Sequence, residues 1–354
     1  MSKSPLNLVS NAVLSGAFVA GAGLALGAGV ILSAGVTWLA VRGARRYNLR
    51  DRVVVITGGS RGLGMAMARV FSRRGARVAL LARDAGELER AQQMIQGRQV
   101  LTRACDVRDQ QQVRDSVADI RRELGEIDVL VNNAGTITVG PGDSMSPEDY
   151  REALDVFFWA ALHTTSAVLP SMKQRRSGRI VNISSIGGKI SVPHLLPYSV
   201  GKFALAGFSE GIGAELAKEN IRVTTVYPGL MRTGSPRNAD FKGKHRAEYA
   251  WFLLSDSAPG ISINADRAAR QIVNACELGK RQLIISLPAK LAIKVHALFP
   301  TITLPLLAAT ARLLPSAEGG TDRKKKGSES QTAITRSWVT GLDQRAALKN
   351  NQVS

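Results

Sequence analysis

Val53-Val-Val-Ile-Thr57-Gly-Gly-Ser-Arg-Gly-Leu-Gly64 decides the fold of this chain. An apolar run, read as a strand, passes into glycines at 58, 62 and 64 and then into a helical pattern. Glycines at such a junction let the backbone turn sharply and approach a diphosphate, whose charge sits on a helix N-terminus. The spacing is G-x-x-x-G-x-G rather than G-x-G-x-x-G, so a plain tight turn is the competing reading. The strand–turn–helix context favours the diphosphate.

Six further apolar runs follow: Arg77–Ala82, Val100–Cys105, Asp128–Asn132, Arg179–Ser184, Arg222–Tyr227 and Gln282–Ser286. Amphipathic stretches such as Asp109–Leu124 and Asn264–Leu278 separate them. Near-continuous apolar strands alternating with helices predict a doubly wound, Rossmann-type parallel sheet of seven strands, covered on both faces. The second run ends at Arg83-Asp84. An arginine here accommodates a ribose 2′-phosphate, whereas an acid would accept from a 2′-hydroxyl. Arg83, with Arg61 in the glycine loop, points to NADP over NAD, with Asp84 as the dissenting neighbour.

Tyr198-Ser-Val-Gly-Lys202 places a phenol and an ammonium four residues apart, on one face of a helix. Ser185 stands upstream at the end of an apolar run. A free tyrosine titrates near ~10, and a fixed cation nearby lowers that value toward useful proton transfer. Tyr-x-x-x-Lys alone is a common pattern; its weight comes from the motifs before it.

The 354 residues carry a net charge of +19. The basic residues are scattered and no nucleic-acid motif accompanies them, so nucleic acid is excluded as a partner. Cys105 and Cys276 lack metal-ligand spacing, and the four histidines form no metal cluster, so no metal site is expected. The cysteines read as buried free thiols, consistent with a reducing compartment.

The segment from about Leu49 to Leu287 resembles the short-chain dehydrogenase/reductase family. The resemblance rests on Thr57–Gly64, Asn132-Asn-Ala-Gly135, Ser185 with Tyr198 and Lys202, and Pro228-Gly229 with Thr233. It implies a cofactor site formed by Thr57, Gly58, Ser60, Arg61, Gly62, Leu63, Gly64, Arg83, Asp106, Val107, Asn133, Ala134, Gly135, Tyr198, Lys202, Pro228, Gly229 and Thr233. It also implies chemistry: Tyr198 as acid or base, Ser185 on the substrate oxygen, and Lys202 on the nicotinamide ribose. One position departs. Phe157 stands in Leu154-Asp-Val-Phe157 where the family usually has an asparagine that helps hold a water near the lysine. Phenylalanine cannot hydrogen-bond a water in that way.

From Ser4 to Val41 no residue is charged, and Arg42, Arg45, Arg46, Arg50 and Arg52 follow. Such a run exceeds the ~20 residues that cross a bilayer, and the arginines place the following domain in the cytoplasm. The sequence therefore predicts residues 1–44 as a single-pass membrane anchor, a transmembrane helix preceding the fold. Residues 45–287 follow as the NADP-binding domain, 288–315 as an apolar helical segment, and 316–354 as a polar, disordered tail. A secretory signal and a glycine-rich interfacial segment are the alternatives for the first 44 residues. The stretch Pro228–Ile263, with Phe241 and the aromatic residues of 249–252, reads as a lid over the substrate. An apolar lid favours a hydrophobic substrate, although the same residues could simply pack the lid itself. His194 reads as a loop residue. The leading expectation is a membrane-tethered NADP(H) oxidoreductase for a lipid-like carbonyl or secondary alcohol. A 3-oxoacyl reductase and a cofactor-binding scaffold without turnover are the alternatives, and a homo-oligomer is left open.

Overall fold

The computed structural model describes residues 46–96, 99–258, 260–332, 335 and 340–353. The expected anchor over residues 1–44 lies outside the described residues. Among those described, no helix is long and apolar enough to cross a membrane.

The chain begins with β1 (Val53–Thr57), α1 (Gly62–Arg73), β2 (Arg77–Ala82), α2 (Ala85–Met94), β3 (Val100–Ala104), α3 (Gln110–Leu124), β4 (Ile127–Asn132) and β5 (Thr138–Val139). There follow α4 (Pro147–Leu154), α5 (Ala160–Gln174), β6 (Gly178–Ile183), α6 (Leu196–Glu215), β7 (Ile221–Pro228), β8 (Met231–Arg232) and β9 (Asp240–Gly243). The remainder is α7 (His245–Ser257), β10 (Ile263–Asn264), α8 (Ala265–Glu277), β11 (Gln282–Ile285), α9 (Leu287–Leu298), α10 (Pro300–Leu313), β12 (Thr321–Lys326) and α11 (Gly341–Lys349).

Seven strands form one sheet in the order β3-β2-β1-β4-β6-β7-β11, every pair parallel. The seven expected strands are these seven, within a residue or so at their ends. Val53 to Ile56, Val129 to Val131 and Ile180 to Val181 are fully buried, as strands covered on both faces must be. The chain moves outward from β1 to β3 and then crosses back to β4. This reversal opens a crevice beyond the carboxyl ends of β1 and β4, where ligands bind in such sheets.

A buried polar seam ties the central strands to the helices beside them. Asn132 Nδ2 donates to Asn182 Oδ1 at 2.8 Å, and Asn182 Nδ2 donates to Ser209 Oγ at 2.9 Å. Ser209 and Thr225 share a hydrogen bond of 2.7 Å, and Thr164 Oγ1 donates to Asn132 Oδ1 at 2.6 Å. The seam therefore runs from α5 through β4 and β6 to α6 and β7, and fixes the helix that carries Tyr198.

The expected disordered tail is ordered over most of its length. β12 pairs antiparallel with β9, which also pairs with β5 in a small second sheet. The basic run Arg323–Lys326 meets acids of its own chain: Lys324 lies 3.2 Å from buried Asp149 and also pairs with Glu152, and Lys326 lies 2.7 Å from Asp240. These local ion pairs, spread through a strand otherwise polar throughout, leave no hydrophobic period for sequence reading to find.

Candidate active site

β1 delivers Thr57 to the floor of the crevice. Its Oγ1 accepts from the backbone N–H of Asn133 at 2.9 Å and of Ala134 at 3.0 Å. Asn133 Nδ2 reaches back to the Thr57 and Gly58 carbonyls at 3.0 and 3.1 Å, so the first and fourth strand ends are locked together. Gly58 and Gly62 adopt φ of +60° and +59°, a region that disfavours a side chain. A Cβ at Gly64 would stand 2.1 Å from the Gly58 carbonyl oxygen. The three glycines are thus required by the turn. They bring the N-terminus of α1, which has no side-chain cap, to the crevice, where an anion is favoured, although the Gly62 N–H is already taken by the Asn350 carbonyl.

At the end of β2, Asp84 is spent on structure. Its side chain accepts from Glu87 N at 2.7 Å and caps α2. Arg83 remains exposed at the crevice. Arg61 pairs with Glu87 at 2.8 Å, and Ser60 Oγ donates to the other oxygen of the same carboxylate at 2.8 Å. Arg61 is therefore engaged by an acid that sequence reading did not weigh. Asp106 accepts from Arg108, whose guanidinium holds its carboxyl below the usual carboxylate range.

The chemical end lies across the sheet. Ser185 follows β6, its Oγ accepting from Gly187 N at 3.0 Å, and it acts on the Tyr198 phenol by lowering its titration. Tyr198 and Lys202 occupy successive turns of α6. Buried Lys202 donates to the Ile183 carbonyl at 2.7 Å, and its Nζ lies 5.6 Å from the Tyr198 ring centroid. Burial pushes the Tyr198 phenol up to about 12 against the lowering effect of Ser185, and pushes Lys202 down to about 7. Desolvation is the largest influence on the phenol, and Ser185 is the group that opposes it.

Phe157 explains the dryness. The segment Asp155–Trp159 is one π-turn between α4 and α5, a local widening common at functional sites. It presents the Phe157 ring, 2% exposed, with its centroid 4.0 Å from Lys202 Nζ and 5.4 Å from the Tyr198 ring, edge to face. A Cβ at Gly135 would sit 2.9 Å from this ring and one at Gly201 2.6 Å from it, so two glycines make its slot. The ammonium over an aromatic face is an attractive contact. Phenylalanine thus holds Lys202 where the expected asparagine would have held water.

One crevice of about 720 Å³ joins these parts. Every cofactor-contacting residue named from the sequence, other than Thr57 and Gly64, lines it, as does Ser185. Gln352 and Asn238 line it as well, and sequence reading missed both. Asn238 Nδ2 donates to Gln352 Oε1 at 2.6 Å. Asn350 O accepts from Gly62 N at 2.9 Å, and Asn351 Nδ2 donates to the carbonyls of Ser60 and Glu87 at 2.9 and 3.0 Å. The C-terminal strap thus rests on the glycine loop, and no periodicity or motif announced it. Phe241, Tyr249 and Phe252 form a buried cluster inside the lid and do not line the crevice. The lid aromatics pack the lid itself, which removes them as evidence about substrate. His194 sits in the loop before α6, its Nδ1 2.9 Å from buried Glu248, and is absent from the lining. Cys105 and Cys276 are both buried free thiols. Among the described residues no cluster has the makings of a metal site.

Known proteins are similar to this chain in sequence and fold. A family model described as short chain dehydrogenase matches residues 52–242. The chain is 31% identical over 284 residues to dehydrogenase/reductase SDR family member 7B of Bos taurus, covering 78% of this chain and 85% of that protein. It is 32% identical over 251 residues to putative oxidoreductase SadH of Mycobacterium tuberculosis, covering 69% and 89%. A solved short-chain dehydrogenase from Streptomyces avermitilis superposes with a TM-score of 0.64 at 30% identity, over 74% of this chain and 97% of that one. L-Sorbose reductase from Gluconobacter frateurii, solved with NADPH and L-sorbose, gives 0.58 at 27% identity, over 67% and 95%. A glycine loop locked to the end of β4, a Ser–Tyr–Lys set shared by the end of β6 and by α6, and these matches together establish that the chain belongs to the short-chain dehydrogenase/reductase family, and is an oxidoreductase.

Proposed function

We propose that this protein is an NADP(H)-dependent oxidoreductase that interconverts a carbonyl and a secondary alcohol on a hydrophobic, lipid-like substrate. The observation that carries the reading is that one crevice brings Ser185, Tyr198 and Lys202 together with the glycine turn. A bound nicotinamide would supply or take the hydride. Tyr198 donates the proton to the forming alkoxide, or takes it in the oxidative direction. Ser185 positions the same oxygen. Lys202 would bind the ribose hydroxyls, and its charge would favour the phenolate once the site is loaded. Exposed Arg83, with Asp84 consumed as a helix cap, supports the two-phosphate cofactor. The lining residues Ile137, Val156, Met231 and Ala239 support an apolar substrate.

Fluorescence titration with NADPH and NADH tests the cofactor; equal or reversed affinities would end the role given to Arg83. Incubation with NADPH and a lipid extract, followed by mass spectrometry for reduced products, tests the substrate class. No reduced product from the extract or from a broad carbonyl panel would favour a scaffold without turnover. The uncharged run of residues 4–41 and the arginines after it support a single-pass tether with the catalytic unit in the cytoplasm. Deleting residues 1–41 should release the protein from membranes; continued sedimentation with them would count against this tether.

A further inference from the structure

The helical hairpin of α9 and α10 is built with apolar residues on both its inner and its outer side. Ala289 and Ile293 face inward, where Ile293 meets Ile190, Ala206 and Tyr227. Leu287, Leu291, Val295 and Leu298 are spaced to fall on the opposite face of α9, and all four are exposed, Leu287 at 78% and Leu298 at 72%. α10 has no buried residue at all. Its Ile302, Leu306 and Leu313 are exposed at 59%, 61% and 87%. Nine of the seventeen exposed large apolar side chains among the described residues fall in this hairpin. So dense a patch on a folded chain marks a contact surface.

Its charges indicate what it contacts. From Leu287 to Ala317 there is no acidic residue, while Lys290, Lys294 and Arg312 are all exposed. Lys290 and Lys294 lie along one edge of the outward apolar stripe of α9 by helical spacing. Apolar side chains bordered by lysine and arginine are the composition that enters an anionic lipid interface. A protein partner of ordinary surface would not require a stretch this long without one acid.

The hairpin also stands at the crevice. Ser286, which caps α9 through the Ala289 N–H, places its Oγ 2.9 Å from where a Cβ on Gly229 would be, and Gly229 lines the crevice. His296 Nδ1 and Thr303 Oγ1, 2.7 Å apart, bind the two helices together across the Phe299 corner.

We propose that α9 and α10 form a docking surface for an anionic lipid bilayer, lying in its interface beside the mouth of the crevice. The surface is separate from the tether assigned to the first 41 residues and does not depend on which carbonyl is reduced. It would let an apolar substrate pass from lipid to the site without crossing water.

The test uses the full chain carrying Leu306→Cys, labelled with a polarity-sensitive nitrobenzoxadiazole. Cys105, which lines the crevice, is replaced by serine in both labelled variants, and Cys276, 0% exposed, stays unlabelled in the folded protein. A second labelled variant, Arg114→Cys on exposed α3, serves as the reference. With phosphatidylcholine vesicles containing phosphatidylglycerol, the label at 306 should shift to the blue and be quenched by brominated acyl chains. The label at 114 should do neither. Lys290→Gln and Lys294→Gln should each weaken the interaction at position 306 about fivefold. An unshifted label at 306 on vesicle-bound protein would overturn the proposal, since the chain would then be held by another segment. A label already blue without vesicles would overturn it too: a second copy if the shift grows with protein concentration, the chain's own N-terminal run if it does not.

Discussion

The two ends of the crevice are made of different materials. At the nucleotide end, charges are paired and partly in water: Arg61 with Glu87, Arg108 with Asp106, and Arg83 exposed beside them. At the chemical end, Lys202 is 5% exposed, Phe157 is 2% exposed, and burial displaces both the lysine and the tyrosine from their ordinary titration. Solvated pairs are worth about 0–1 kcal/mol each and can be exchanged cheaply, so this end sets which nucleotide binds. A dry end makes each charge costly and each contact strong, so it sets the reaction. The same fold thus separates selection from chemistry by the water it admits.

Substitutions at each end can break or sharpen this contrast. Tyr198→Phe should lower turnover by about 100- to 10,000-fold while leaving NADPH binding intact, as read by steady-state kinetics beside fluorescence titration. Retained turnover would move the proton donor elsewhere. Arg83→Ala at the wet end should weaken NADPH by about 10- to 100-fold and leave NADH unchanged, because a charged hydrogen bond to phosphate is lost. Asn351→Ala should destabilise the chain by about 1–3 kcal/mol, since the Ser60 and Glu87 carbonyls lose their donor, and hydrogen exchange should quicken around residues 60–62. Unchanged exchange there would mean that the strap does not support the loop.

Phe157→Leu should move the Lys202 titration by up to about one pH unit, downward from about 7 in the cofactor-free chain, because the ring no longer favours the ammonium. Phe157→Asn, which admits a polar partner, should move it upward; NMR of the lysine side chain reads both. The sign for stability follows. A lysine titrating lower when folded than its ordinary 10.5 costs stability in full below about pH 7, and that cost fades as pH rises to 10.5. Lys202→Met should therefore raise the Tm more at pH 6 than at pH 10. The smallest effect is expected from Glu87→Gln, which frees Arg61 and should tighten NADPH about fivefold, with little change for NADH.

The contrast also explains what was legible in the sequence. The seven strands and the glycine turn announce themselves because buried strands must be apolar and a turn at φ near +60° favours glycine, with a Cβ at Gly64 excluded outright by the Gly58 carbonyl. Ser185, Tyr198 and Lys202 were legible as a set because the chemistry fixes their identity and spacing. Asp84 could not be assigned from sequence, since an acid beside Arg83 serves a ribose or a helix cap equally well until the backbone is placed. Glu87 escaped notice because its role depends on one helical turn bringing it under Arg61. The strap escaped because Asn350-Asn-Gln352 is held by backbone and amide hydrogen bonds that leave no period or charge pattern. Phe157 was read as a loss, the absence of a water ligand. Only the slot made by Gly135 and Gly201 shows that it is a fitted part.

The polar seam under the site carries a consequence for how this protein can vary. Asn132, Asn182, Ser209, Thr225 and Thr164 each satisfy a buried partner. Replacing any one by an apolar residue strands a donor or acceptor, at about 1–3 kcal/mol for each orphan. Replacing several together with a matched apolar set would strand none. The positions should therefore behave as a single heritable character, kept whole or exchanged whole, and a library that randomises them jointly should recover folded chains that no series of single steps can reach.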